Sequence, residues 1–555
     1  MTGRLIYKSM IKNIQYFILI AVVTLIELNS LNAQSSYISK VWVSDNGDGT
    51  YKNPVLNADY SDPDVIRVGD DFYMTASSFN CTPGLPILHS RDMINWSIIN
   101  HALKKQIPEE SFNTPQQGKG VWAPSFAYHN NELYIYYPDP DYGIYMIKTK
   151  DPAGEWSRPV MVLSGKGIID PSVFWDDDGK AYLSVAWAAS RAGVNSLLTV
   201  FKMNREGTSV IDEGKHIYDG HGMDHTVEGP KFYKRNGYYY ILCPAGGVAT
   251  GWQLALRSKN IFGPYERKVV MVQGNTGING PHQGALVQTP KGSDWFFHFQ
   301  DKGAYGRVVH LQPVQWKNDW PVIGDDKDGD GTGVPVMQFK KPDIGNVYPT
   351  QTPAESDEFN NDGLGLQWQW QGNPKIQWSA LIRKSGFLRL FAVPSDTGRN
   401  LWSVPNLLLQ KFPAPSFTAT VKIKWNIEWD VYQNKKAGLI IMGDDYAYLD
   451  IHKTDKGFFV TQVICNDAVG GGPERTIETR ALKDSVVYLS VHVGAPDANC
   501  VFSYSDDGVR FNNIGVPFKA RPVKWTGAKI GLFSVATPKE RIGGYADVDW
   551  FRITK

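Results

Sequence analysis

The stretch SDPDVIRVGDDFYM, residues 61–74, reads as a short apolar strand, a Gly-Asp turn and an aromatic-rich second strand. The unit recurs as WAPSFAYHNNELYIYY from Trp122, IDPSVFWDDDGKAYLSV from Ile169, VEGPKFYKRNGYYYIL from Val227 and PHQGALVQTPKGSDWFFHF from Pro281. With Asp71, Asn131, Asp178, Asn236 and Gly292 as turn marks, the spacings are 60, 47, 58 and 56 residues. Such turn residues tolerate the positive φ that two-residue hairpins need. Alternating aromatic and β-branched residues suit half-buried sheet faces. A long period holding several strands marks a β-propeller blade, whereas sandwich turns come roughly every 8–12 residues. Five marks predict five blades.

Composition agrees and excludes other classes. Among 555 residues there are 70 aromatic side chains, 53 Gly and 33 Pro, with only 20 % charged. That balance argues against disorder, coiled coil and a mostly helical enzyme, and suits a turn-rich β protein. A net charge of +1 leaves no basic footprint for nucleic acid or an acidic membrane. Four cysteines are too few for a disulfide scaffold. Cys81 with Cys243, and Cys465 with Cys500, are the pairings to consider, and free buried thiols are the favoured alternative.

The domain plan follows from where the pattern changes. Arg4, Lys8 and Lys12 precede an apolar run over 16–26, and Leu31-Asn32-Ala33 ends on a small residue. This is the layout of a secretory signal peptide over 1–33, too short for a membrane span of about 20 residues. The expected location is therefore periplasmic or extracellular, without a membrane span. The propeller is expected over 34–340. A linker, 341–356, leads to a region, 357–555, of strands such as FTATVKIKW, YAYLDIHK and VYLSVHVG with short turns. That region reads as a jelly-roll, concanavalin-like β-sandwich. The expected fold class is all-β, a five-bladed β-propeller followed by this sandwich.

Carboxylates occupy telling places within the repeats. Asp62 stands eight residues ahead of Asp70, Asp170 seven ahead of Asp177 and Glu228 eight ahead of Asn236, followed by Pro63, Pro171 or Gly229-Pro230. First strands of propeller blades line the central channel, so the three acids should meet around one funnel. Neighbouring carboxylates raise one another's pKa, which stability alone would not select. One protonated acid and one carboxylate on opposite sides of a scissile bond are what glycoside hydrolysis needs. Acids from separate blades favour the wider spacing that admits a water and gives inversion.

Here the residues carry a resemblance. NPVLNADYSDPDVIRVGDDFYMTASSF, GVWAPSFAYHNNELYIYY, GIIDPSVFWDDDGKAYL, TVEGPKFYK and GRVVHLQPVQW resemble glycoside hydrolase family 43. The resemblance spans about 50–340 strongly and the sandwich more loosely. It implies a secreted, inverting enzyme that removes terminal β-D-xylosyl or α-L-arabinofuranosyl units from plant cell-wall polysaccharides or their oligosaccharides. An endo-arabinanase of the same fold, or a non-catalytic carbohydrate-binding propeller, are the alternatives, with the sandwich as binding module a third. By position, Asp62 matches the general base, Glu228 the general acid and Asp170 the residue that orients the donor and modulates its pKa. The family's usual Pro-Asp-Pro-Ser is Ser61-Asp62-Pro63-Asp64 here, which raises the question of what Asp59 and Asp64 do.

Arg307 matches the family's substrate-binding Arg, while Trp122 and Phe79 are candidate platforms for a pentose ring. His282 stands at the fifth blade's matching position, where relatives place a His beside calcium or a water cluster. It is the candidate for substrate contact or for holding calcium through water. No cofactor is expected for the chemistry itself, a structural calcium ion being the one candidate. Asp326, Asp328 and Asp330 with Gly331 match the opening of an EF-hand loop. Position twelve is Met337 instead of Glu and no helices flank it, so a solvated acidic turn is favoured there.

Overall fold

The computed structural model describes residues 37–382, 385–394, 400–427, 435–536 and 543–555; the expected signal segment lies outside them. Among the described residues the repeats form five four-stranded antiparallel sheets whose strands neighbour one another in chain order. Blade 1 is built from Asp64–Val68, Asp71–Thr75, Gly84–Ser90 and Ser97–Leu103, and blade 5 from His282–Gln288, Asp294–Asp301, Arg307–Lys317 and Trp320–Ile323. Blades 2, 3 and 4 open with Ser125–His129, Ile168–Trp175 and Lys231–Arg235. The innermost strands of blades 1 to 4 touch in turn, and that of blade 5 touches blade 1, so they line the channel.

The hairpins follow the turn chemistry. Asn130 and Asn131 have φ of 51° and 59°, and Asn236 and Gly237 have 50° and 70°, the doubly left-handed pattern that matches strand twist. Ring closure comes from the segment ahead of blade 1. Thr50–Lys52 pairs with Gln338–Lys340, and Leu56 exchanges both backbone hydrogen bonds with Val309. Asn53 Nδ2 donates to the Leu311 and Val336 carbonyls, fastening that segment over blade 5. The ring thereby joins its last blade to the segment that leads into its first.

The sandwich packs two eight-stranded sheets around a separate core. Phe417–Asn426 alternates buried and half-exposed residues along nearly its whole length, which puts Phe417, Ala419, Val421, Ile423 and Trp425 inside. The segment expected to be a linker is not a loose tether. Gln351 donates its backbone N–H to Asn95, and the Glu355 carboxylate accepts from Ser39 Oγ. Beyond it, Thr82 and Trp370 exchange backbone hydrogen bonds of 3.0 and 2.7 Å, and Asn80 Nδ2 donates to the Gln371 carbonyl. The sandwich is therefore seated on blade 1, beside the funnel. All four cysteines are buried free thiols, so neither pairing forms; Cys81 instead meets Lys529 Nζ at 2.9 Å. Among the described residues no helix is long and apolar enough to cross a membrane.

Candidate active site

A common backbone kink at the entrance of several blades places the acids. The residue before Pro63, Pro171 and Pro230 has positive φ in each case: Asp62 53°, Asp170 54° and Gly229 58°. A non-glycine residue held there is strained, a device found at functional sites. The equivalence differs from the expected one by a single step. Asp62 and Asp170 stand at the kink, while Glu228 precedes the glycine that occupies it. Gly229 cannot carry a side chain, because a Cβ would stand 2.9 Å from Gln283 Cγ and 3.1 Å from Pro244 Cδ. Its N–H instead donates to Asp170 Oδ2 at 2.8 Å, tying blade 4 to blade 3.

All three acids line one pocket, in different environments. The Asp62 side chain is 8 % exposed. Its Oδ2 accepts from Ser61 Oγ at 2.6 Å and Ser77 Oγ at 2.5 Å, and its Oδ1 from Arg307 Nη1 at 3.1 Å. Three donors, one of them cationic, fix the orientation of this carboxyl group in the wall. Glu228 is 31 % exposed and shares a 2.8 Å hydrogen bond, Oε1 to Nε2, with His282. The loop before it is anchored by Asp224, whose carboxylate accepts from Arg267 Nε and Nη2 at 2.7 Å each. Asp170 is buried between them. Burial pushes its carboxyl up to about 8, with the charges of Glu228 and then Asp62 adding to the effect. A proton therefore resides in this cluster at neutral pH.

The neighbouring carboxylates have other duties. Asp64 lies deeper in the channel, 3.3 Å from Lys231 Nζ, and accepts the Phe126 N–H at 2.6 Å; burial raises its pKa. Asp59 accepts the Arg307 N–H and the Gly527 N–H, both at 2.9 Å, and so links blade 5 to the sandwich. Neither Asp64 nor Asp59 lines the pocket with Asp62.

Arg307, Trp122 and Phe79 do line it. Arg307 is committed to protein partners through Nη1, which donates to Ser61 Oγ and Asp62 Oδ1. Trp122 stands 6.4 Å from Phe79, which is itself 3 % exposed and held at φ 50°. His282 does not reach the pocket. It is fully buried behind Glu228, packed at 5.4 Å from Phe299, so it contacts the acid and not a sugar. It makes a poor calcium holder as well. Its Nε2 is engaged by Glu228, and no three-residue group of His, Cys, Asp or Glu donors includes it among the described residues. Calcium takes roughly six to eight oxygen ligands.

Sequence reading missed Trp525. It sits in a tight turn of the sandwich, Val523 and Thr526 exchanging backbone hydrogen bonds, with its own φ at 71°. The turn docks backbone to backbone on the approach to Arg307. A Cβ on Gly527 would stand 2.5 Å from the Gly306 nitrogen, so only glycine permits this contact. Trp525 thereby enters the pocket wall, edge-on to Trp122 at 6.2 Å, with the Arg307 guanidinium 5.5 Å from its ring. A Trp between two strands carries no local mark of this role, which depends on docking a distant domain. Gln283 and Trp187, also in the wall, were not singled out either.

Comparisons with known proteins agree with this geometry. Residues 51–321 match the model for glycosyl hydrolases family 43, and residues 356–554 the β-xylosidase C-terminal concanavalin A-like domain. A β-xylosidase of Formosa agariphila is 34 % identical over 91 % of this chain and 90 % of that protein. A non-reducing end α-L-arabinofuranosidase of Bacteroides ovatus is 32 % identical over 73 % of this chain and 76 % of that protein. The crystal structure of a xylan β-1,4-xylosidase from Bacillus halodurans superposes with a TM-score of 0.79 at 25 % identity, covering 91 % of this chain and all of that one. The chain belongs to glycosyl hydrolases family 43 and is a glycoside hydrolase.

Proposed function

We propose that this glycoside hydrolase is an exported, inverting, exo-acting enzyme that releases terminal β-D-xylosyl or α-L-arabinofuranosyl units from plant cell-wall polysaccharides and their oligosaccharides. The observation that carries the reading is the contrast inside one pocket. Asp62 is sealed among two hydroxyls and a guanidinium, while Glu228 is half-open to the pocket with His282 behind it. Asp62 is the general base that takes a proton from the attacking water. Glu228 is the general acid that delivers a proton to the leaving oxygen. Asp170, next to both in charge and buried, keeps a proton in the cluster and holds the Gly229 backbone beside the acid.

Trp525 and Trp122 narrow the mouth from two domains, which supports trimming chain ends over cleaving within an open groove. The names of the relatives, β-xylosidase and non-reducing end α-L-arabinofuranosidase, support the same pair of sugars. Export is supported by the charged, apolar and small-residue order of 1–33. Proton NMR of the sugar first released from aryl xyloside and aryl arabinofuranoside tests the mechanism. Inverted anomeric configuration is expected, and retention would refute the water-activating role of Asp62. A side-by-side assay on those aryl glycosides, xylo-oligosaccharides and arabinan tests the action pattern. Monosaccharide release from chain ends is expected, whereas internal cleavage of arabinan would favour the endo reading. N-terminal sequencing of protein recovered outside the cytoplasm should begin after Ala33.

A further inference from the structure

The left-handed kink that places the acids occurs at a further blade entrance, on a residue the hydrolytic scheme does not use. In blade 5 it falls on Gln283, at φ 38°. Like Asp170, Gln283 sits at a break of register between the first two strands of its blade. Such bulges re-aim a side chain, and a non-glycine residue at positive φ is strained. In blades 1 and 3 this backbone brings Asp62 and Asp170 to the pocket, and in blade 5 it brings Gln283 to the same pocket.

The surroundings show where the Gln283 side chain runs. It is 4 % exposed, and its stem passes over Gly229, where a Cβ would stand 2.9 Å from Gln283 Cγ and 3.0 Å from Cδ. Glycine beside the general acid thus leaves the space that Gln283 fills. His282 meanwhile holds Glu228 through Nε2, so residues 282–283 clasp residues 228–229. Blade 5 closes the ring next to blade 1, which puts Gln283 on the arc between Glu228 and Asp62. On the arc from blade 1 to blade 3, blade 2 gives the pocket Trp122 and Ala123, both apolar. A pentose is divided in the same way, into a C–H face and an edge of adjacent hydroxyls. A carboxamide both donates and accepts, so it can bond two such hydroxyls without adding a charge to three carboxyl groups.

We propose that Gln283 is a substrate-binding residue of this site, its carboxamide bonding adjacent hydroxyls of the sugar held between Asp62 and Glu228. The inference rests on the pentoside-hydrolysing reading above and adds a residue that selects the hydroxyl pattern of the released sugar.

Kinetics of the full chain test it. The substrates are aryl β-D-xyloside or α-L-arabinofuranoside, whichever the native chain cleaves faster, and the analogues of that sugar lacking one hydroxyl each. Gln283→Met keeps an unbranched stem over Gly229 and removes both donor and acceptor. It should lower kcat/KM on the parent glycoside about 10- to 100-fold, with the unfolding transition retained. In the native chain, deleting a hydroxyl that Gln283 bonds should cost at least about tenfold; in Gln283→Met the same deletion should cost less than about threefold. Gln283→Asn accepts the left-handed backbone readily but is one methylene short, so it should fold and show the same pattern. A purely structural role would lower the rate equally on every analogue. Equal deletion penalties in native and variant chains, native-like kcat/KM in both variants, or loss of the unfolding transition in both would overturn the role of Gln283. A native chain inactive on both parent glycosides would instead refute the pentoside-hydrolysing reading itself.

Discussion

Blade 1 and blade 4 bring their acids to the pocket by the same backbone route and then treat them in opposite ways. In blade 1 the kink falls on Asp62 itself, so its short side chain stays inside the wall with Ser61, Ser77 and Arg307 around it. In blade 4 the kink falls on Gly229, one residue later, and the longer Glu228 leaves the wall with a single buried partner, His282. A shift of one residue along a repeat thus separates a carboxyl group enclosed by three donors from one that opens to the pocket. Asp170 in blade 3 repeats the backbone of blade 1 without its donors, and its carboxyl is pushed up to about 8 by burial and the neighbouring charges.

The comparison can be broken most directly at the acids. Asp62→Asn should lower kcat/KM on xylo-oligosaccharides on the order of 10⁴-fold, and Glu228→Gln by about 10²–10⁴-fold, with unfolding transitions retained. Arg307→Met removes a charged donor from Asp62 Oδ1 and should reduce kcat/KM about 10- to 100-fold, with the loss in kcat. If Arg307 acted on sugar hydroxyls alone, KM would rise instead. Trp525→Ala tests the contribution of the sandwich. It should raise KM for short aryl glycosides by about 3- to 10-fold at nearly constant kcat.

The smallest expected effect on turnover, and the clearest on stability, concerns Asp170. Its carboxyl holds a proton in the folded chain that the unfolded chain has already released above the ordinary value of 3.8. Stability is therefore undiminished below that value and falls as pH rises toward about 8, after which the loss is constant. Asp170→Asn removes this dependence while retaining an oxygen for the Gly229 N–H. Its Tm should exceed that of the native chain by a margin that grows across this window, while activity declines. A thermal series over pH checks this, and a margin that shrinks with rising pH would contradict the assignment.

Much of this was legible in the chain because it repeats. Five strand-turn-strand units at a common period make blades almost inevitable, and the turn residues show where each hairpin bends. The acids were legible for the same reason, since Asp-Pro and Glu-Gly-Pro stand at matching places. What was hidden depends on burial and on distant partners. His282 looked like a channel residue open to sugar or calcium, yet its full burial behind Glu228 is a tertiary fact. Trp525 lies 218 residues beyond Arg307 and reaches it only because Gly306 and Gly527 let two backbones touch.

Leaving-group dependence is the most direct test of the division between the two blades. An aryl leaving group needs little protonation, so Glu228→Gln should recover most of its lost kcat/KM on dinitrophenyl xyloside relative to xylobiose. Asp62→Asn should be about equally impaired on both, because water must be activated in either case. Equal impairment of Glu228→Gln on both substrates, or selective recovery of Asp62→Asn, would contradict the assignment of acid to blade 4 and base to blade 1.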